Sequence, residues 1–375
     1  MEPMLRFKSD DGSDFPDWEE MTLGELFYIS AGGDIDKNNC AVKQSKDYPY
    51  PIYANALVNG GLYGYTNFYK IDGDTFTVTG RGDVGHAVAR HCKYVPIVRL
   101  LVCRPNMDDD VDFFAEQINY TRIFTESTGV PQLTAPQLSK TKVKRPSLPE
   151  QRKIADLLSA VDDVIAAQEA EVAAWEKRKK GVMQKLFSQE VRFKADDGSD
   201  FPDWEEKTLG DICVYERQRS EGANFVGTEN MLKDFGGVTF DNSNADGSGT
   251  LYHPGDTLMS NIRPYLKKAW LADRKGTCST DVLVFHPTSV EPGYLYWLIA
   301  SDAFVRYVMS AAKGSKMPRG DKKHIMEMPL LLPNKDEQRK IDDCLSSLND
   351  VIIKAKNELA KWQELKKGLL QQMFV

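Results

Sequence analysis

Two stretches of the chain place apolar or long side chains at alternating intervals of four and three residues, a spacing that predicts long helices. They cover residues 150–187 and 337–375, and at about 1.5 Å per residue each forms a rod of roughly 57 Å. The strict alternation is a heptad seam, so we expect the two helices to pair with each other as a coiled coil, with pairing to helices of a partner protein as the alternative. If the two halves of the chain are related by a pseudo-twofold axis, the coiled coil is antiparallel. The predicted pairing residues are Ile154, Leu158, Val161, Ile165, Val172 and Trp175 in the first helix, and Ile341, Leu345, Leu348, Ile352, Leu359 and Trp362 in the second.

The rest of the chain has strand-and-turn patterning, and its beginning is repeated. Residues 6–26 and 192–212 are identical at 17 of 21 positions, and the two helical blocks at 19 of 38 positions. The chain is therefore an internal duplication with pseudo-twofold symmetry. We predict a first globular domain over 1–149, a spacer helix over 150–187, a second domain over 188–336 and a second helix over 337–375.

The middle parts of the two domains do not resemble each other, although both keep the character of mixed sheet and helix. Segment 27–149 contains a glycine-rich TGRGDVG turn, whereas segment 213–336 contains SNIRPYLKKAW. The predicted fold class is α+β, with two mixed α/β domains separated by the paired helices. A constant frame with two different inserts indicates that the inserts recognise different things.

Composition narrows the choice of partner and compartment. The chain has no apolar run long enough for a membrane span and no basic-then-apolar leader, so we expect a cytoplasmic protein. Its six cysteines and five histidines form no ligand set with metal-binding spacing, so we expect no metal site. Because the net charge is −7, nucleic-acid binding would require local basic patches or help from a partner.

Catalytic patterns are weak throughout the sequence. Gly80, Gly82 and Gly85 match a nucleotide-binding glycine motif, but no βαβ pattern follows, and a turn between strands is the better interpretation. The acidic PDWEE segments crowd their carboxylates into a few residues, which is more typical of a turn than of a nuclease site. We expect no catalytic residue and no cofactor bound by this chain.

Basic residues recur at corresponding places, just before each long helix. Lysine and arginine supply phosphate contacts, and arginine and asparagine can read base edges, although such runs are also common on solvated surfaces. Arg145 belongs to the first basic run. The candidate DNA-binding residues are Arg81, Gly129, Gln132, Lys140, Lys142, Lys144, Asn261, Arg263, Tyr265, Lys267, Lys268, Lys313, Ser315, Lys316, Arg319, Lys322 and Lys323.

The combination resembles the specificity subunits of type I restriction-modification enzymes, the HsdS family. The similar segments are FPDWEE with TLG in each unit, TGVPQLT, GDTLMSNIRPYLKKAW, CSTDVLVF, and the EQRKI that opens each helix. The resemblance implies two target-recognition domains that each read half of a split DNA target, with helices that set the gap. It also implies two modification subunits that bind S-adenosylmethionine, and restriction subunits that use ATP and magnesium.

Two other interpretations stay open from the residues alone. The chain could be a coiled-coil adaptor whose globular domains bind protein partners, or an orphan nuclease or methyltransferase. The basic segment before each helix favours the DNA-specificity interpretation, because a protein adaptor would have no need for it.

Overall fold

The computed structural model describes residues 3–121, 132–240 and 247–374. The chain divides into two compact units: unit 1 comprises Met1–Ala170 with Asn357–Val375, and unit 2 comprises Glu171–Lys356. Each unit therefore contains one globular domain and a segment from each long helix. In the described ranges, no helix is both long enough and apolar enough to cross a membrane.

The long helices are α4 and α9, and both begin two residues before the predicted boundaries. The elements of the first domain are β1 (Glu19–Thr22), α1 (Leu23–Leu26), β2 (Phe27–Ala31), β3 (Tyr50–Tyr53), β4 (Leu62–Thr66), β5 (Thr75–Val78), β6 (Ala87–Arg90), β7 (Val95–Pro96), β8 (Leu101–Pro105), α2 (Val111–Thr121), α3 (Ala135–Leu138) and β9 (Lys142–Arg145), followed by α4 (Leu148–Phe187). Those of the second are β10 (Glu205–Thr208), α5 (Leu209–Ile212), β11 (Cys213–Tyr215), β12 (Arg219–Gly222), β13 (Gly247–Tyr252), β14 (Thr257–Ser260), β15 (Ala269–Leu271), β16 (Gly276–Cys278), β17 (Val282–Pro287), α6 (Pro292–Ile299), α7 (Asp302–Ser310), α8 (Lys322–Met326) and β18 (Pro329–Leu332), followed by α9 (Lys335–Phe374).

The two domains share one sheet arrangement. An antiparallel four-stranded sheet has the order β2-β8-β5-β6 in the first domain and β11-β17-β14-β15 in the second. A three-stranded sheet accompanies each, in the order β4-β3-β7 or β12-β13-β16. The fold is thus α+β with an internal duplication, as predicted. Because β5 and β6 are antiparallel neighbours, the glycine motif at Gly80–Gly85 lies in a turn between strands, as interpreted from the sequence.

A two-stranded ribbon closes each domain onto its helix. Strand β1 pairs with β9 and strand β10 pairs with β18, so the beginning of each domain meets its end. Between β1 and β9, helix α1 still belongs to the repeated block, and the part from β2 to α3 is the one whose sequence differs from the second domain. The frame therefore delimits the variable insert.

A buried carboxylate clasp anchors the repeated first segment of unit 1 to α4. Arg6 donates from Nε and Nη2 to Glu150, at 3.0 and 2.9 Å, and the Trp18 indole donates to the same carboxylate at 3.1 Å. Glu150 is completely buried. The next residue, Gln151, accepts from the Asp110 backbone at 2.8 Å and so fixes the start of α2.

Unit 2 contains the same clasp at the same positions. Arg192 donates to Glu337 at 3.1 and 2.8 Å, and Trp204 donates to it at 2.9 Å. Gln338 accepts from the Glu291 backbone at 2.8 Å, at the start of α6. The repeated RFK, PDW and EQ motifs are therefore the parts of one anchor, because each contributes a residue to it.

The long helices run antiparallel within each unit. In unit 1 the Lys366 ammonium lies 2.8 Å from Asp162, and in unit 2 Lys179 donates to Asn349 at 3.0 Å. Every predicted pairing residue is buried or half-buried. Ile154 and Leu158 also belong to the core of the first domain, and Ile341 and Leu345 to that of the second. The seam thus serves both helix pairing and domain attachment.

Candidate nucleic-acid interface

The second domain brings together two separate basic segments that the sequence singled out. The Arg263 backbone follows β14 and donates to the Pro318 carbonyl at 2.8 Å, while Ile262 forms a bridge with Arg319. Arg319 also forms an ion pair with Asp281 at 3.0 Å. The guanidinium groups of Arg263 and Arg319 thus lie on adjoining segments, and both side chains are exposed.

The first domain builds the equivalent turn after β5. Arg81 forms a bridge with Gln132, and the Leu133 backbone donates to the Gly80 carbonyl at 2.9 Å. Arg81 is the third residue after its central strand, as Arg263 is after β14. Gln132 precedes the capped helix α3 by the same interval at which Arg319 precedes α8. Both domains therefore present an exposed arginine beside the loop that leads to the last short helix.

The remaining residues of SNIRPYLKKAW differ in what they can offer a ligand. Tyr265 is half exposed. Asn261 is buried, and its Oδ1 atom has no hydrogen-bond partner in the described part of the chain. Lys267 forms an ion pair with Asp302 at 2.8 Å. Lys268 donates to the Thr228 carbonyl at 2.6 Å, and burial lowers the pKa of its ammonium group. The two lysines thus already have partners within the domain.

The basic run before the first helix lies mainly on strand β9. Lys140 is exposed, and Lys142 pairs with Glu20 across the ribbon at 2.6 Å. Lys144 also lies on β9, and Arg145 pairs with Asp109 at 2.8 Å. Lys142, Lys144 and Arg145 thus lie on the β1–β9 ribbon. Gly129 lies outside the described residues.

The corresponding run in the second domain lies on a loop and on α8. Ser315 and Lys316 are exposed, and Lys313 pairs with Asp321 at 2.7 Å. The hydrogen bond from Lys313, with backbone N–H donors at the start of α8, lowers the pKa of Asp321 to about 2. Lys322 and Lys323 are exposed on α8. The second basic run therefore contains a residue of its arginine turn, Arg319, whereas the first run begins eight residues after Gln132.

Two residues of the first domain join the site without having been predicted. The Asn55 amide accepts from the Gly80 backbone at 2.7 Å and donates to the Val98 carbonyl. Arg99, next in the chain, is exposed, and its backbone nitrogen donates to Gly32 at 3.2 Å. No local pattern marks either residue, because their proximity to Arg81 depends on loops that are distant in sequence.

In the described ranges, no three histidine, cysteine, aspartate or glutamate side chains are arranged to hold a metal ion. Asp256 is a buried carboxylate that accepts from the His253 backbone at 2.7 Å and bonds the His286 ring at 2.7 Å. What both domains share is a cationic turn held by backbone hydrogen bonds, an arrangement suited to phosphate and base-edge contacts.

Comparison with known sequences finds the same family twice along the chain. The family model for the type I restriction modification DNA specificity domain matches residues 16–174 and again residues 202–362. The MjaVIII type I restriction enzyme specificity subunit of Methanocaldococcus jannaschii is 22% identical, over 98% of this chain and 95% of its own length. The EcoDI specificity subunit of Escherichia coli is 24% identical over 33% of this chain, and the match spans 28% of that protein.

Solved structures share the fold over the full chain. The S subunit of a type I restriction-modification system from M. genitalium superposes with a TM-score of 0.66 at 15% identity, covering 100% of this chain and 99% of that one. A chain from a structure describing complex assembly in the type I system gives a TM-score of 0.54 at 17% identity, with 96% and 98% covered. The duplicated architecture is therefore that of known proteins.

Proposed function

Since this chain belongs to the type I restriction-modification DNA specificity family, we propose that each globular domain reads one half of a bipartite DNA target. The observation that carries the proposal is the duplicated arginine turn. Arg81 and Arg263 occupy the same position after the central strand, but their partners are Gln132 in one domain and the Arg319 segment in the other. The same scaffold thus presents different base-reading groups.

The chemistry of these groups suits direct readout in the major groove. Arginine can donate two hydrogen bonds to guanine, and glutamine can bond adenine through one donor and one acceptor. Each mismatched base pair typically costs about 1–3 kcal/mol, so two half-sites multiply the discrimination available to a single small domain. Two different readers on one chain therefore give a longer and more selective target.

The paired helices are the proposed spacer between the half-sites. Half-sites about 34 Å apart lie on one face of the duplex, a distance that rods of roughly 57 Å can span. Stiffness matters because a loose spacer would admit several gaps. The buried clasps at Glu150 and Glu337 make the junction between domain and helix rigid, since each fixes its domain to the first turn of a long helix.

The catalytic steps are assigned to partner subunits. Two modification subunits would dock on the helices and supply S-adenosylmethionine, and restriction subunits would supply ATP-driven activity. This chain would bind no cofactor and would not be an enzyme itself. With a net charge of −7, it would rely on its partners for part of the phosphate neutralisation.

The direct test is to purify the chain with its candidate modification subunits and map methylated adenines in DNA exposed to the complex. We expect a split target with a gap of fixed length. Exchanging residues 27–140 for those of another specificity subunit should change one half-site only, because the frame strands β1 and β9 flank that segment. A contiguous target, or a change in both halves, would contradict the two-reader proposal.

The spacer role has its own test. Inserting one heptad into each of the two long helices, at matched positions, should lengthen the gap and preserve both half-sites. The matched control inserts a heptad into one helix alone, which breaks the seam register. An unchanged gap in a stably folded double insertion would contradict the spacer role and leave the two-reader proposal intact.

A further inference from the structure

Exposed apolar side chains occupy the tips of two loops beside the Arg81 turn. Leu57 and Val58 are 46% and 75% exposed in the loop after β3, and Val98 is 45% exposed in the loop before β8. Single exposed apolar residues are common on protein surfaces. Three exposed apolar side chains on adjoining loops next to a cationic turn indicate a binding surface.

One side chain holds these tips together. The Asn55 amide accepts from the Gly80 backbone at 2.7 Å and donates to the Val98 carbonyl, so it joins the loops that carry Arg81 and Val98. Leu57 is two residues from Asn55, which places their Cα atoms within about 7 Å of each other. The apolar tips and the arginine turn therefore form one surface, which we call the tip surface.

The loop that carries Leu57 and Val58 is built to be rigid. Arg90, with only 8% of its surface exposed, donates to the Gly60 carbonyl and to Thr77. Its guanidinium carbon lies 3.7 Å from the centre of the Tyr53 ring, and burial lowers its pKa. Burying the Arg90 guanidinium has a desolvation cost, and its hydrogen bond to Gly60 holds the turn that carries Leu57 and Val58 in one position.

The second loop holds two residues in an unfavourable conformation. Val98 and Arg99 have φ angles of 54° and 63°, a region that residues other than glycine enter at a cost. Backbone hydrogen bonds to Gly33 and Gly32, at 2.8 and 3.2 Å, keep them there. A side chain at Gly32 would lie 2.7 Å from the Pro96 backbone, so only glycine fits. The two strained residues, Val98 and Arg99, therefore lie next to the loop that carries Arg81.

The charges around the tips identify the kind of partner. Arg81 and Arg99 are exposed, and neither forms an ion pair with a described residue. Exposed arginines that form no ion pair within the described part of the chain suit phosphates and base edges, while apolar side chains at a rigid tip can insert between base steps and unstack them. Resting on the function proposed above, we propose that Leu57 and Val58 form a wedge that opens the base stack beside the base pair that Arg81 reads, with Arg99 on a flanking phosphate.

The wedge gives this domain a role beyond reading bases. A methyltransferase must take its target base out of the stack, and the cost of doing so falls when the neighbouring stacking is already disturbed. The first domain thereby prepares the adenine of its half-site for modification.

The test uses the complete complex with its modification subunits and duplexes that carry 2-aminopurine at successive positions of the mapped target. With the unmodified chain, fluorescence should rise at one position of the half-site assigned to the first domain. The double variant Leu57→Ser with Val58→Ser should lose that rise. Its affinity for the target should fall about tenfold or more, whereas affinity for unrelated DNA should hold, because the arginines remain.

Val42→Ser is the matched control, because Val42 is 89% exposed in the same domain and is not part of the tip surface. It should change neither fluorescence nor affinity. If the unmodified complex shows no rise at any position of that half-site, or the double variant behaves like the unmodified chain, the wedge is wrong. Loss of modification subunits from the double variant would make the tip surface a protein interface and overturn the proposal. If no bipartite target can be mapped at all, the proposed function fails instead.

Discussion

The seam lysines of the two units occupy the same position in the repeat but have different surroundings. In unit 1, Lys366 lies 2.8 Å from Asp162 and 3.2 Å from Glu116. In unit 2, the equivalent Lys179 donates to an amide, Asn349, and its ammonium lies 5.5 Å from the centre of the Trp297 ring. Asn349 and Trp297 stand where Asp162 and Glu116 stand in unit 1.

The pKa shifts of the two lysines follow from this difference. Burial lowers the pKa of both ammonium groups, but the Asp162 and Glu116 carboxylates outweigh burial at Lys366 and raise its pKa. At Lys179 burial is the largest effect and the nearby Lys356 lowers the pKa further, and together they outweigh the Glu176 carboxylate, which acts in the opposite direction. Duplication has thus kept the packing and changed the electrostatics. The frame tolerates charge exchange at the seam so long as the lysine stem fills the same space.

The largest expected effect concerns what the units share. Glu150→Ala and Glu337→Ala each remove the acceptor of an arginine and an indole, and each should lower the free energy of opening of its own unit by about 3 kcal/mol. Hydrogen exchange followed by mass spectrometry measures that quantity for each unit separately. Equal losses in the two units are expected, because the two clasps have the same geometry.

Controls for the clasp come from the same arginines. Asp17 and Asp203 lie 3.8 Å from Arg6 and Arg192 but are fully exposed, so Asp17→Ala and Asp203→Ala should cost less than about 0.5 kcal/mol. If the free energy of opening of unit 1 were the same in Glu150→Ala as in Asp17→Ala, the clasp would not be the anchor of the domain.

The next effect should differ between the units in size and in sign. Lys366→Met leaves the Asp162 and Glu116 carboxylates without their cation, and should destabilise unit 1 by about 2 kcal/mol. Lys179→Met removes a half-buried cation that forms no ion pair with a described carboxylate, and should change the free energy of opening of unit 2 by less than about 0.5 kcal/mol or stabilise the unit. Opening free energies from hydrogen exchange provide the comparison. A larger loss from Lys179→Met than from Lys366→Met would refute the electrostatic distinction drawn here.

A smaller effect should follow from exchanging the seam acceptors. Asn349→Asp gives Lys179 the counterion that Lys366 already has, and should stabilise unit 2 by about 1 kcal/mol. Asp162→Asn should destabilise unit 1 by a similar amount. Both replacements are nearly isosteric, so packing is preserved and the denaturant midpoint of each unit is a fair readout. The double exchange should leave the total nearly unchanged, and a large net loss would point to packing instead of charge.

The sequence predicted the long helices, their seam and the duplication, because periodicity and repetition are local properties. It did not predict the clasps, although their residues were all in the repeated blocks, since Arg6 and Glu150 are 144 positions apart. The equivalence of Arg81 and Arg263 was also hidden, because the inserts differ in sequence and the two arginines are 182 positions apart, whereas the repeated first segments are 186 positions apart. Arg81, Gln132, Arg263 and Arg319 were singled out and lie in matching places, but the proximity of Asn55 and Arg99 to the Arg81 turn depends on loop packing that no spacing encodes.

The smallest expected effect is a pH dependence of unit 1. The His91 ring bonds Asp74 at 3.0 Å and Asp112 at 2.9 Å, linking the start of α2 to the strand region beside it. Burial alone would lower the pKa of this ring, but the two carboxylates outweigh burial and raise it above the ordinary value. The folded state therefore binds the proton more tightly than the unfolded chain, whose histidines titrate near pH 6.5. The stabilisation is complete below about pH 6.5 and is lost as the pH rises through the folded-state pKa.

His91→Gln should therefore cost unit 1 a few tenths of a kcal/mol at about pH 5.5 and almost nothing at about pH 8.5, because the ring and both carboxylates are partly exposed. Hydrogen exchange in α2, compared between the variant and the unmodified chain at the two pH values after correction for intrinsic rates, measures the difference. The double variant Asp74→Asn with Asp112→Asn is the control, since it keeps the ring but removes the charges that raise its pKa. A cost that stays constant between these pH values would mean that the ring acts through neutral hydrogen bonds, and the difference between the units would then be confined to the seam.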